Sequence, residues 1–64
     1  MSVYALHQGL QYEMQSVGEG EWRWSFHPPG EKPRSGRVVG EPEQAMAVAR
    51  RAIEVWHESM AKAA

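Results

Sequence analysis

The run from Glu21 to His27 limits the folds open to this chain more than any other part of its sequence. Aromatic residues occupy every second position within the run, and polar or charged residues lie between them. Since successive side chains of a β-strand point to opposite faces, this alternation predicts a strand with one apolar and one polar face. The apolar face carries Trp22, Trp24 and Phe26. Rings of this size bury large areas, so we expect Trp24 to be largely buried in the core.

A second alternating run, from Leu10 to Val17, precedes the first and is separated from it by Gly18-Glu19-Gly20. Tyr12 and Met14 share the apolar phase of this run with Leu10. Glycine adopts positive φ angles without steric cost and is therefore typical of tight turns. The two runs and the glycine-rich turn together predict a β-hairpin.

The rest of the chain predicts one short strand and one long helix. Pro28-Pro29-Gly30 ends the second strand because proline cannot donate a hydrogen bond to a sheet. Arg37–Val39 is then a short edge strand. Pro42 suits the first turn of a helix, which we expect to continue to about Met60. One half of this helix is apolar, and that half carries Ala45, Val48, Ala49, Ala52, Ile53, Val55, Trp56 and Met60.

These elements predict an α+β fold in which a three-stranded antiparallel sheet packs on one C-terminal α-helix. The helix covers the aromatic face of the sheet in this prediction. A chain of 64 residues is long enough for one domain, so we expect a single ββ(β)α domain over residues 1–64. Residues 1–9 form either an arm or an extra strand, since Val3–Leu6 fits both descriptions.

The composition excludes several kinds of chemistry. The chain contains no Cys and no Asp, which removes disulfides, thiolate ligands and Asp-based catalytic sites. His7, His27 and His57 lie on different predicted elements, with no spacing typical of a zinc site. We therefore expect no catalytic site, no metal and no cofactor. The sequence shows neither an export signal nor an apolar run long enough to span a membrane, which favours a cytoplasmic protein.

Basic residues are concentrated in the second strand and in the segment that follows it. They are Arg23, His27, Lys32, Arg34 and Arg37. One interpretation is a contact site for an anion or a nucleic acid, because such side chains bind phosphate groups. The other is a solubilising loop, which the presence of Glu31 in the same segment favours. The net charge of the chain is −1, whereas obligate nucleic-acid binders usually carry a clear positive excess.

The order of aromatic and glycine residues resembles that of two families with a three-stranded sheet and one helix. The resemblance is carried by Gly20-x-Trp22-x-Trp24-x-Phe26, then Gly36-x-Val38, then Glu43-x-Ala45. The families are the amino-terminal arm-binding domains of phage-type tyrosine recombinases and the plant AP2 domain, and the resemblance implies a bare sheet face that contacts the DNA major groove. In this chain Arg23 shares that face with two acidic and two uncharged polar residues, which are Glu13, Glu21, Gln11 and Gln15. The chain is also similar to small bacterial proteins of ββ(β)α type, a likeness that implies no activity.

The apolar stripe of the predicted helix is wider than a small sheet covers, since it spans about half of the helix surface. An uncovered apolar strip typically marks a contact with a partner. Val3–Leu6 has no obvious place in the core of a monomer and suits pairing across a two-fold axis. The residues expected near such an interface are Tyr4, Leu6, Val48, Val55 and Trp56.

These features predict a non-catalytic protein-interaction module that forms a homodimer, with an unidentified protein as a further partner. The alternative function is a nucleic-acid-binding module that uses the exposed sheet face and the basic loop after the second strand. Binding to a membrane is not expected.

Overall fold

A computed structural model describes residues 2–63 and shows one antiparallel sheet with one C-terminal helix. The chain order is strand β1 (Ser2–His7), β2 (Leu10–Gly18), β3 (Glu21–Phe26), β4 (Arg34–Val39) and helix α1 (Pro42–Ala63). Each strand pairs with the next one along the chain, so the strand order in the sheet is β1-β2-β3-β4. The α+β class and the single C-terminal helix are confirmed, and β1 and β4 form the two edges.

The sheet has four strands, whereas the sequence predicted three. The additional strand is β1, which resolves the ambiguity of residues 1–9 in favour of a strand. Its sequence does not alternate between apolar and polar residues, so it carries no period-two signal. Gln8 and Gly9 turn the chain from β1 into β2 with φ angles of 51° and 83°. Two positive φ angles are typical of a type I′ hairpin turn, but a Gln-Gly pair is not its usual sequence.

Strand β4 begins three residues earlier than predicted, at Arg34 rather than Arg37. Gly36 made this segment resemble a loop, but it lies within the strand, directly opposite Trp24 on β3. The indole of Trp24 lies over the glycine backbone, and a Cβ atom at position 36 would be 2.7 Å from its Cζ2 atom. The glycine is therefore needed for packing within the strand rather than for a turn.

The core lies between one face of the sheet and the helix. The sheet contributes Tyr12, Met14 and Phe26, and the helix contributes Ala45, Ala49, Ile53 and Trp56, all of which are buried. The helix side chains recur at spacings of three and four residues, as expected for one covered face. The prediction that the aromatic row of β3 faces the helix is confirmed, because Trp22, Trp24 and Phe26 all pack in or against this core.

The structure refines two details of the predicted packing. Trp24 is partly buried and packs against the core, with its ring over the backbone of Gly36. The helix continues past Met60 to Ala63, and its 22 residues span about 33 Å at 1.5 Å per residue. Met60 lies on the apolar stripe but is half exposed. No helix within residues 2–63 is long and apolar enough to cross a membrane.

Candidate interaction surfaces of the sheet

The hairpin turn at Gln8 and Gly9 determines which backbone groups of β1 are free. In a two-residue hairpin the flanking residues, here His7 and Leu10, form a hydrogen-bonded pair. Hydrogen-bonded pairs alternate with non-hydrogen-bonded pairs along the ladder, so every second residue of β1 points its backbone N–H and C=O away from β2. These outward residues are Ser2, Tyr4 and Leu6. They form the free edge of the sheet on this side.

The free edge at β1 carries no charged side chain. Tyr4 and Leu6 are 62% and 75% exposed, and both lie on the face of the sheet opposite the helix. On the other face, Val3 is 42% exposed and Ala5 is partly buried against the core. Native sheets usually protect such edges with charges, proline or bulges, because free N–H and C=O groups pair readily with another strand. The β1 edge has none of these protective features at its outward residues.

The opposite edge is built differently. The amide of Gly40 donates a hydrogen bond to the carbonyl of Gly20 (2.7 Å), which fixes the alternation of the β3–β4 ladder. With this alternation, the outward backbone groups of β4 belong to Ser35, Arg37 and Val39. Arg37 therefore lies at the centre of this edge. A charged side chain at such a position opposes pairing with another strand.

The face of the sheet away from the helix, which we call the open face, carries two adjacent arginines. Arg23 and Arg37 are directly opposite each other on β3 and β4, as a non-hydrogen-bonded pair, the type in which side chains lie closest. Within the described part of the chain, neither guanidinium has a carboxylate at ion-pair distance. Like charges in this arrangement are destabilising, so the pair is maintained at a cost in stability.

The next cross-strand row of the open face is formed by smaller or polar residues. Tyr4, Glu13, Ser25 and Ser35 are aligned from β1 to β4 in that order. A depression of about 190 Å³ opens along this row, and its lining includes Tyr4, Gln11, Glu13, Ser25, His27 and Pro33. A hydrogen bond to the Glu13 carboxylate and its negative charge raise the pKa of the Tyr4 hydroxyl. The depression therefore has an aromatic wall and a negatively charged acceptor on its floor.

The five residues predicted near an interface do not form one surface. Tyr4 and Leu6 are on the open face at the β1 edge. Val48 and Val55 are on the outer flank of the helix, 42% and 44% exposed, so the stripe is indeed wider than the sheet covers. Trp56 is only 7% exposed and belongs to the monomer core, which corrects its assignment to an interface.

The predicted basic region is likewise divided. Arg23 and Arg37 meet on the open face, and His27 lines the depression beside them. Arg34 instead bonds to Glu31 (3.1 Å) in the loop before β4, and Lys32 lies in that loop between β3 and β4. Only part of the region is therefore placed to bind a ligand on the open face.

Two glutamates hold the sheet to the helix through contacts that no motif in the sequence indicated. Glu31 accepts hydrogen bonds from Trp56 Nε1 (2.7 Å) and Arg34 (3.1 Å), and these two donors lower its pKa. Glu54 lies 2.9 Å from His7 Nε2, and this hydrogen bond lowers its pKa. These contacts join residues 25 and 47 positions apart in the chain, so no local sequence pattern reveals them.

Residues 2–63 contain no group of three or more His or Glu side chains placed to hold a metal ion. Comparison with protein-family models found no match for this chain, and comparisons with curated proteins and with solved structures found none either. The resemblance to recombinase arm-binding and AP2 domains therefore stays a prediction.

Proposed function

We propose that this chain is a non-catalytic protein-interaction module that self-associates by pairing β1 with β1 of a second copy. The observation that carries the proposal is the free edge at Ser2, Tyr4 and Leu6, which presents backbone donors and acceptors and no charge. Antiparallel pairing of two such edges would satisfy those groups and join the two sheets into one. The interaction needs no group other than the backbone itself.

A two-fold axis through Tyr4 satisfies the geometry of the edge. Each Tyr4 would exchange both of its backbone hydrogen bonds with the other copy, and Ser2 of one copy would face Leu6 of the other. The same patch is then used by both subunits, as a two-fold contact requires. The axis is perpendicular to the sheet, so both helices lie on the same side, and the row formed by Val3 and Ala5 continues across the interface.

The charges of the two edges favour this pairing over one through β4. Any well-overlapped two-fold pairing of β4 would bring the two copies of Arg37 opposite or diagonal to each other, since Arg37 is the central outward residue. Like charges in those positions are destabilising. Pairing through β1 brings no charges together, because Ser2–Leu6 contains none. Self-association is therefore directed to one edge and closes at the dimer.

Sedimentation over a wide range of protein concentration tests the proposal, with two matched variants. Leu6→Lys and Val39→Lys each place a lysine on an outward, highly exposed apolar position of an edge strand, 75% and 78% exposed in the wild type. Neither position contributes to the core, so both variants should fold. We expect the wild type to approach twice the chain mass of 7.2 kDa at high concentration. Only a few residues form the contact, so the dimer should be weak.

Leu6→Lys should shift the equilibrium to monomer, because it places a charge on an edge that has none, opposite Ser2 of the second copy. Val39→Lys should sediment like the wild type. A wild type that stays monomeric up to millimolar concentration would refute the proposal. A dimer that Val39→Lys weakens and Leu6→Lys leaves intact would assign the interface to the β4 edge instead.

A further inference from the structure

The open face carries an unexplained arrangement on β3 and β4, on the far side of β2 from the edge that we assign to dimerisation. Arg23 and Arg37 form a like-charged pair without a carboxylate at ion-pair distance among residues 2–63. Gln15 continues the same cross-strand row, next to Arg23 on β2, and its amide donates to Ser2 Oγ on β1 (3.4 Å). Two arginines on directly opposed residues can both donate to the oxygen atoms of one phosphate group, and a bound anion would relieve their repulsion.

The depression begins in the neighbouring row of the sheet. Ser25 is two residues from Arg23 along β3, which corresponds to about 7 Å at 3.3–3.4 Å per residue. The exposed ring of Tyr4 forms the far wall, and Glu13 supplies a carboxylate that accepts hydrogen bonds. A flat ring with amino groups fits such a site, by stacking on the tyrosine and by donating to the glutamate.

We propose that Arg23 and Arg37 bind the phosphate group of a mononucleotide whose base lies in the adjoining depression against Tyr4. The phosphate and the base would occupy neighbouring rows of the open face, in contact with β3–β4 and β1–β2 respectively. Every residue named belongs to one copy of the chain, and in the proposed dimer Tyr4 of the second copy would lie beside the Tyr4 ring of this site.

The charges of the open face favour a single phosphate over a nucleic-acid polymer. Glu13 and Glu21 lie on the same face as the two arginines, each one row away from the pair. A polymer that crosses this face would bring further phosphates close to these carboxylates, with no net positive charge to offset the repulsion. A mononucleotide places its one phosphate at the arginines and presents donors to Glu13.

Titration of the wild-type protein with adenosine 5′-monophosphate, followed by amide chemical shifts, tests this site. We expect the largest shifts at Arg23, Arg37, Ser25 and Tyr4. Adenosine and ribose 5-phosphate should each bind at least about tenfold more weakly, since each lacks one of the two contacts, worth roughly 1.4 kcal/mol or more. Inorganic phosphate should shift only the residues around the arginine pair.

Variants assign the contacts to individual side chains. Arg23→Gln should weaken binding of adenosine 5′-monophosphate about tenfold, and Arg37→Lys, which keeps the charge but loses the planar fork, should weaken it by a smaller factor. Arg23→Gln relieves the repulsion between the two arginines, and Arg37→Lys leaves it unchanged. Neither variant adds a new unfavourable contact, so both should fold. Lys62→Gln removes one positive charge from the last turn of the helix and should leave the affinity unchanged.

Three results would overturn the proposal. One is the absence of shifts on the open face at millimolar adenosine 5′-monophosphate. Another is equal weakening by Arg23→Gln and Lys62→Gln, which would indicate general charge attraction. The third is tighter binding, per phosphate, of a single-stranded oligonucleotide than of the mononucleotide, which would assign the face to nucleic acid instead. If the wild type is monomeric but shows these chemical-shift changes, the dimer proposal is refuted and the nucleotide site is supported.

Discussion

The two edge strands of this sheet have equal length but opposite character. Both β1 and β4 contain six residues, and both point three of them outward at a free edge. The outward residues of β1 are uncharged, whereas Arg37 occupies the centre of β4. The helix packs on β4 through Val38, and Trp24 packs on Gly36, while β1 packs on the core through Ala5 and is tied to the helix by His7 and Glu54.

A difference in charge between its two edges is one way in which a small sheet can direct its own association. One edge is protected by charge and fixed by packing, so it serves as the border of the domain. The other edge is free, and its pairing with a second copy would remove the exposed backbone of both chains. With a single reactive edge, assembly stops at two copies, whereas two reactive edges would give an open-ended array.

The largest effect should follow from removal of the charge that protects β4. Arg37→Val would leave Ser35, Val and Val39 at the outward positions of this edge, all uncharged and two of them β-branched. We expect this variant to form assemblies larger than a dimer, because both edges can then pair. Light scattering across a concentration series would detect them. A variant that remains at the size of the wild type would show that Arg37 is not what protects the edge.

The packing of β4 should be the next most sensitive feature. Gly36→Ala places a methyl group within 2.7 Å of the Trp24 ring, which must then move off β4. We expect a loss of about 1–3 kcal/mol in the free energy of unfolding, as is usual for overpacking. Ser35→Ala, one residue earlier on the open face, is the control and should change stability by less than about 0.5 kcal/mol. Denaturant unfolding in the Leu6→Lys background keeps dimerisation out of both values.

Two valines test the unequal cover that the helix gives to the two edges. Val38 on β4 and Val3 on β1 both face the helix side of the sheet, but Val38 packs against the core and Val3 is 42% exposed. Val38→Ala should cost about 1 kcal/mol, and Val3→Ala less than about 0.5 kcal/mol. Equal losses, measured by denaturant unfolding in the Leu6→Lys background, would mean that β1 is covered as well as β4.

The smallest expected effect concerns the carboxylates that tie each side of the sheet to the helix. Hydrogen bonds lower the pKa of Glu31 and of Glu54 in the folded state. A lowered pKa stabilises the fold at pH values above the unfolded pKa of about 4.3, and this stabilisation is lost as the pH falls through the folded value. Glu31→Gln keeps an acceptor for Trp56 but cannot titrate, so its stability should decrease less steeply with acid.

Thermal unfolding between neutral pH and pH 3 would measure how steeply the stability of the wild type and of Glu31→Gln decreases with acid. Glu54→Gln is the counterpart on the β1 side and should flatten the profile in the same direction, since its contact with His7 is also removed from titration. Parallel profiles for the wild type and both variants would contradict the assignment of these two contacts as the acid-sensitive links.

The parts of the fold that depend on local patterns were predictable from the sequence. The alternation around Trp22, Trp24 and Phe26 gave the hairpin and the core face, and Pro42 gave the start of the helix. Strand β1 was left ambiguous because Ser2–Leu6 has no polar phase, and Arg34–Gly36 was assigned to a loop because Gly36 is a packing glycine. In both places the structure depends on pairing with a neighbouring strand, and a local sequence pattern does not reveal that pairing.

The candidate surfaces were less predictable. Tyr4 and Leu6 were singled out for their apolar character, but which backbone groups they leave free depends on the turn at Gln8 and Gly9. Trp56 was misassigned because a helical wheel shows which residues share the apolar stripe, but not which part of that stripe the sheet covers. The pairing of Arg23 with Arg37 follows only from the register of β3 and β4, across fourteen residues of sequence.

Amide hydrogen exchange, measured residue by residue at a concentration where the protein is dimeric, tests directly whether β1 pairs with β1 of a second copy. If β1 pairs with its copy, the amides of Tyr4 and Leu6 should be protected, while those of Arg37 and Val39 on β4 should exchange freely. Dilution to the monomer, or the Leu6→Lys substitution, should remove the protection at Tyr4. Fast exchange of Tyr4 and Leu6 in the dimer, matching that of Arg37 and Val39, would contradict the account and place the interface elsewhere.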